Sequence, residues 1–348
     1  MTFLATPVKI RLVRRDLSAQ LDITPQSKWS LSTLRSKVGE IKVDTNHNEK
    51  MSQFIPWSDL IEVRQGSTVM MRYILRGIVP NGPSGSVRVT GAGMVGQLRR
   101  RNQPAVRTFL GPAVDVWREL FVVGSSIEPL LVAPQADGSD QGETVKIDVN
   151  LYDSLFDMHE SLAGSYLVYA EHSGGLETRA VGDEVAGPPL RTHWLVGETC
   201  APPEFNSDSL ANEFAIRYGA NGQVITYPPG GAADPNRQGA RLQGPPLTFG
   251  EIDTSDEAHT IGKKVYDVFS VPQIVLPEME LNTQKVKWAW LVPGRGQRSS
   301  LPGSEGVMLN LASVTLAGVG SSVSSAKAKW DRNSADGFLS RSNRGLGT

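Results

Sequence analysis

The stretch Ser86–Arg101, SVRVTGAGMVGQLRRR, carries two patterns that could do chemistry. One is GAGMVG, a Gly-x-Gly-x-x-Gly after a strand-like run; the other is the arginine triplet Arg99-Arg100-Arg101. A dinucleotide turn needs a buried parallel strand to deliver the glycines and a helix N-terminus to meet the pyrophosphate. Here SVRVT turns Arg88 outward, whereas a central parallel strand is apolar on both faces. Pro104 would stop any following helix after about two turns. Asp115, near the spacing of a ribose ligand, reads as part of a helix. GAGMVG is therefore expected to be a strand end and bend where side chains would collide.

The arginines suit anions. Three in a row are costly unless solvated or paired, and a phosphate backbone or an acidic neighbour would satisfy them. Residues 1–42 carry eight basic side chains against three acidic, and the segment from Ser321 carries five against two. Between Asp137 and Glu213 the only bases are Lys146, Arg179 and Arg191. Basic ends around an acidic middle point to a nucleic-acid set of Lys9, Arg11, Arg14, Arg15, Arg99, Arg100, Arg101, Lys327 and Lys329. Solvated termini, and ion pairs between subunits, are the competing readings.

Hard cations are a second possibility. Asp137, Asp140 and Glu143 lie together in ADGSDQGE, and Asp253, Asp256 and Glu257 in EIDTSDE, each loop offering carboxylate ligands for calcium between subunits. Neither has EF-hand spacing, and solvated loops are the alternative. His47, His159, His172, His193 and His259 are scattered, with no HExxH, and no GxSxG elbow occurs. Glu171 and Glu177 flank the turn HSGGL and could form a carboxylate pair. No catalytic set, cofactor or enzymatic activity is expected.

The elements that must position these residues are mostly strands. The 348 residues are 39% hydrophobic and 20% charged, with 35 glycines and 22 prolines, which favours a packed core of short strands and turns. Period-two alternation runs through STVMMRYILRGIV, with Val69, Met71, Tyr73, Leu75 and Val79 on one face. It recurs in SVRVT, VKIDVNL, SYLVYAEH, EFAIRYG, QVITY, KKVYDVFSV, KVKWAWLV and VMLNLASVTLAGV. One wet and one dry face predicts antiparallel sheets packed as a sandwich or barrel. Asn221-Gly222 predicts a hairpin with a type I′ turn. Helices are expected at Pro112–Phe121 and Leu151–Leu162, the second capped by Asn150 and ended by Gly164, with a shorter one at Ser30–Val38. The span from Pro228 to Pro246 reads as a turn-rich loop, and the chain beyond Ser321 as a tail.

The single Cys200 excludes an internal disulfide and suits a reducing compartment. MTFLATPVKIRLVRR breaks its apolar run with charges, so no secretory leader is expected, and no window is long and apolar enough for a spanning helix.

This element order resembles the single jelly-roll coat proteins of small icosahedral positive-strand RNA viruses. STVMMRYILRGIV would be that family's strand B and SVRVTGAGM strand C. Strands D to G would follow around Ile127–Val132, at Val145–Val149, in SYLVYAEH and in LRTHWLVGE, with the last two within Lys285–Val319. The resemblance implies an all-β, eight-stranded antiparallel jelly-roll with two short helices in its loops and a β-rich insertion or projecting subdomain. It implies an N-terminal arm over 1–65, a shell domain over 66–199, an insertion over 200–276, final strands over 277–320 and a tail over 321–348. It further implies a structural subunit that assembles with identical copies around genomic RNA in a virion formed in the host cytoplasm, with calcium possible at subunit interfaces and no membrane anchor. The arm lacks a dense arginine block, so charge neutralisation would be shared with the triplet and the tail. The alternative is a β-sandwich carbohydrate-binding module or glycan-active enzyme using Trp194, Trp288 and Trp290 as stacking platforms.

Overall fold

The computed structural model describes residues 3–82, 85–127, 134–137, 141–163, 166–181, 185–198, 203–206, 210–219, 221–230, 242–249, 252–271 and 273–332. Seven strands come first: β1 (Val8–Val13), β2 (Gln20–Asp22), β3 (Lys28–Leu34), β4 (Glu40–Asn46), β5 (Leu60–Gln65), β6 (Thr68–Pro80) and β7 (Ser86–Gly93). Alternation creates them. KWSLSTL buries Trp29, Leu31 and Thr33, and EIKVDTN buries Ile41, Val43 and Thr45. Residues 8–65 are thus built into a sheet and are not an extended arm. The helix expected over Ser30–Val38 is strand β3 and its turn: Leu31, Leu34 and Val38 have helical spacing, but the residues buried are Trp29, Leu31 and Thr33, which repeat every two positions.

Next come β8 (Arg107–Pro112), α1 (Ala113–Ile127), β9 (Gln135–Ala136), β10 (Thr144–Val149), α2 (Leu155–Leu162), β11 (Leu167–His172) and β12 (Gly175–Ala180). Both expected helices form here. The second starts later than expected, with Ser154 as its cap, its hydroxyl accepting from the Asp157 amide. The strand expected from Ile127 to Val132 begins at the last residue of α1, and the rest of it lies outside the described residues.

A third stretch holds β13 (Glu204–Asn206), β14 (Phe214–Tyr218), β15 (Gln223–Tyr227), β16 (Leu247–Phe249) and α3 (Ser255–Phe269). The hairpin at Asn221-Gly222 forms, with Tyr218 opposite Gln223 and positive φ at Gly219 and Gly222. KKVYDVFSV is not a strand. It ends α3, whose start is fixed by a capping box between Thr254 and Glu257 and whose buried residues Ala258, Ile261, Val265 and Phe269 repeat at helical spacing.

The chain returns through β17 (Gln273–Val275), β18 (Met279–Glu280), β19 (Gly296–Arg298), β20 (Met308–Val319) and β21 (Ser322–Asp331). KVKWAWLV folds as loop around a 3-10 turn at Trp288–Trp290, and LRTHWLVGE as 3-10 turns, so neither supplies a jelly-roll strand. Ser322–Asp331, expected in the tail, pairs along β20.

These strands form one 13-stranded sheet, in the order β13-β17-β21-β20-β3-β4-β7-β6-β5-β1-β2, with β18 on β21 and β19 on β20. Its pairings are antiparallel, and it curls. The Val8 amide of β1 donates to the Ser321 carbonyl of the β20–β21 turn at 2.8 Å, bringing distant strands of the order together. Inside the curl pack Ile10, Leu31, Ile41, Val63, Tyr73, Val89, Leu316 and Trp330. A second core joins the 3-10 turn at Met94–Arg100 to α1, α2 and strands β8, β10, β11 and β12, and a third joins α3 to the β15-β14-β16 sheet. The chain is mostly β, as expected. Its large sheet is a curled antiparallel sheet of 13 strands with several crossovers, and an eight-stranded jelly-roll is not seen in it.

Candidate functional site

GAGMVG sits where β7, an antiparallel strand between β4 and β6, runs into the 3-10 turn Met94–Arg100. No parallel strand or crossover helix stands beside it among the described residues, so the dinucleotide geometry is missing. A Cβ on Gly91 would lie 2.8 Å from Ile41 and Ile61 and 2.9 Å from Tyr73. A Cβ on Gly93 would lie 1.7 Å from Oε2 of Glu171. Gly93 makes room for a carboxyl group, and it belongs to β11 of the same chain.

Glu171 is 2% exposed, and its Oε1 accepts from the Val95 amide at 2.8 Å. Burial pushes its carboxyl up to about 8, against the opposing pull of the Val95 and Gly39 backbones. Burial thus favours its neutral, protonated form. Its neighbours in the same seam are aromatic. His159 accepts from the Trp117 indole N–H at 2.7 Å and stands edge-on to Tyr169 at 4.9 Å, and burial lowers it to about 3. His172 stacks on Trp288 at 4.7 Å, and burial lowers it to about 4. These shifted groups are packed between layers, 1–3% exposed, where no substrate reaches.

The arginines make the exposed counterpart. Arg99 lies over the Phe156 ring at 4.5 Å, and Arg100 over Trp57 at 4.9 Å. Arg101 turns inward and is 7% exposed; burial and the nearby Arg15 lower it to about 10. Arg14 and Arg15 reach the same place from the β1–β2 turn. Asp59, 1% exposed, holds them there: it accepts the Arg15 amide at 3.0 Å and the Ile55 amide at 2.7 Å, and it faces Arg14 Nε at 3.9 Å.

Two members of this surface carry no signal in the sequence pattern. Arg76 is the extra residue of a bulge in β6, between the pairs Leu75–Gly91 and Gly77–Thr90. The bulge re-aims its side chain toward Trp57, 5.8 Å from the ring centre, and Glu40, 3.6 Å away. It also shifts the faces of β6, leaving Val79, expected inside, 51% exposed. Trp57 itself, at φ 67°, lies in an irregular turn with no periodicity.

The other expected basic residues stay elsewhere. Lys9 is exposed on β1, Arg11 donates to Gln20 at 3.2 Å, Lys327 pairs with Glu278 at 3.5 Å, and Lys329 is exposed on β21. Two of the expected calcium ligands have cationic partners. Asp137 is shared by Arg179 at 3.4 Å and Arg295 at 3.3 Å, Glu143 pairs with Lys264 at 3.4 Å, and Asp140 lies outside the described residues. Glu257 is spent on its capping box, and no group of three metal-ligating side chains occurs among the described residues. Arginine and lysine side chains thus neutralise Asp137 and Glu143.

Neither element of the glycan reading holds. Glu171 and Glu177 occupy opposite faces of the β11–β12 hairpin, Glu171 under GAGMVG and Glu177 on Arg295 at 3.0 Å. Trp194 stacks on Trp290 at 5.1 Å, and Trp288 is 3% exposed, so no platform is open to a sugar.

By sequence the chain matches no protein-family model and no curated protein. By structure it is similar to prophage tail protein gp18 from Listeria monocytogenes EGD-e, at 9% identity and a TM-score of 0.62, over 98% of this chain and 100% of that one. It is also similar to the 43 kDa tail protein of prophage MuSo2 from Shewanella oneidensis, at 12% identity and 0.61, over 95% and 99%. Against a PdpA–VgrG complex the figures are 9% and 0.51, over 94% of this chain and 64% of that one. The fold is shared with these two tail proteins. This overturns the resemblance to RNA-virus coat proteins, and with it the icosahedral shell around an RNA genome; the carbohydrate reading gains no support either.

Proposed function

We propose that this chain is a structural subunit of a phage-tail-like or secretion-spike-like assembly, working through contacts with other protein chains and not through catalysis. The observation that carries this reading is the end-to-end likeness to tail proteins, which leaves almost no part of either chain unmatched. The site geometry agrees. Its shifted ionisable groups are packing groups without access, while its exposed chemistry is a basic and apolar surface of the kind that contacts macromolecules. A partner protein is part of the proposal, as in the PdpA–VgrG complex.

The test is the mass of the purified chain in solution, by light scattering on a sizing column and negative-stain microscopy. A discrete assembly of several copies, or one completed by a tail or spike partner, is expected. A monomer at every concentration that also ignores such partners would sink the proposal.

A further inference from the structure

Strands β8 and β10 make a ribbon of their own, in register from Thr144 opposite Pro112 to Val149 opposite Arg107. One face is dry: Phe109, Val145 and Val149 are buried in the second core with α1. The other is wet, with Thr144, Lys146 and Asp148 exposed. The Ala113 amide donates to the Glu143 carbonyl at 2.8 Å, which makes these two residues a hydrogen-bonded pair and sets the parity of the ladder. Val145, Ile147 and Val149 therefore turn their backbone groups toward β8, while Thr144, Lys146 and Asp148 turn theirs away. Among the described residues no strand lies on that outer side of β10. Natural sheet edges are blunted by proline, a bulge, brevity or an unmatched lysine. TVKIDV is six regular residues without proline or bulge, β-branched at Thr144, Val145, Ile147 and Val149. Its lysine is matched: Lys146 Nζ stands 3.2 Å from the carboxylate of Asp148, two positions on.

We infer that this edge pairs with the same edge of a second copy, antiparallel about Ile147, so that the two ribbons join into one four-stranded sheet. The inference rests on the structural-subunit reading above and names one of its contacts. Backbone parity and charge together select this register. A twofold axis at Ile147 sets Lys146 opposite Asp148 of the second copy, and Asp148 opposite Lys146 of that copy. These are the residues with outward backbone groups, so each opposed pair exchanges amide and carbonyl bonds while its side chains meet as ions. An axis at Lys146 or at Asp148 keeps the backbone bonds but sets like charges face to face. An axis at Val145 sets Lys146 opposite Thr144 and Asp148 opposite Gly142, which matches neither charge. On the dry face Ile147, half-buried in one copy, meets Ile147 of the other. A peptide of unrelated sequence would gain the backbone bonds without the matched charges, so the edge fits its own copy best.

Sedimentation velocity on the full chain tests this with Lys146→Asp, Asp148→Lys and the double exchange Lys146→Asp/Asp148→Lys. Each single variant sets like charges opposite one another and is expected to weaken self-association on the order of tenfold or more. Mixing the two single variants restores opposite charges at both positions, and so does the double exchange; both should recover association, which misfolded chains would not. A second measurement is independent of charge. Ile147→Cys in a Cys200→Ser background should give a disulfide-linked dimer on mild oxidation, because residues opposed in a non-hydrogen-bonded pair lie within disulfide reach. Unchanged association in the single variants overturns the inference while leaving the subunit reading in place. Failure of the mixture and the double exchange to recover association, or absence of the cross-link, overturns it equally. A monomeric wild type also overturns it, and the subunit reading then stands only if that monomer binds a tail or spike partner.

Discussion

Gly93 and Glu171 occupy one another's space, and each explains the other. Replacing Gly93 by Ala drives a methyl group into the carboxyl and is expected to cost about 3 kcal/mol or more in urea unfolding. In a Glu171→Ala background most of that cost should vanish, because the colliding atoms are gone; additive losses would mean that the glycine answers to something else. Asp59 gives a second test at this scale. Asp59→Ala strips two backbone N–H groups of a buried acceptor and should cost about 3 kcal/mol, again by denaturant titration.

Among the elements, α1 and α2 depend on one polar contact in an apolar seam. Trp117 donates to His159 Nδ1, so the ring must be neutral with that nitrogen free of a proton. Trp117→Phe leaves the imidazole nitrogen buried without its donor and is expected to lower stability by about 2 kcal/mol, measured by thermal and urea unfolding. Both helices are legible in the sequence as apolar stripes. By contrast, the end of α3 reads as a strand because KKVYDVF satisfies both periods; the signal that separates the two is the capping box from Thr254 to Glu257. The bulge that turns Arg76 toward Trp57 leaves no mark in the alternation of STVMMRYILRGIV.

For the whole molecule, opposed titrations set a pH window. Glu171 and Glu177 are both raised above their ordinary 4.5, chiefly by burial, so the folded state holds protons that the unfolded state releases, and stability falls as pH rises beyond that value. His159 and His172 are lowered below their ordinary 6.5, so stability falls as pH drops beneath that value toward about 3 and about 4 respectively. Between 4.5 and 6.5 the two trends offset. Chemical denaturation across pH should show a plateau there and losses on either side, and Glu171→Gln should flatten the alkaline limb. A stability that climbs steadily above the ordinary histidine range would contradict the burial of Glu171.

Composition and alternation alone determined a β-rich chain with a buried core, the strands of SVRVT and VMLNLASVTLAGV, the helices near Pro112 and Leu155, and GAGMVG as a strand end and bend. These are local matters, because period, caps and turn residues act within a few positions. Tertiary structure decided the rest. Residues 8–65 read as an arm because nothing nearby reveals that β1 meets the β20–β21 turn at the far end of the chain. Arg15 of the β1–β2 turn comes beside Arg101, and Arg179 and Arg295 come onto Asp137, only in the folded chain. Charge pairing and sheet order depend on which distant segments meet, and burial of the whole core makes that choice.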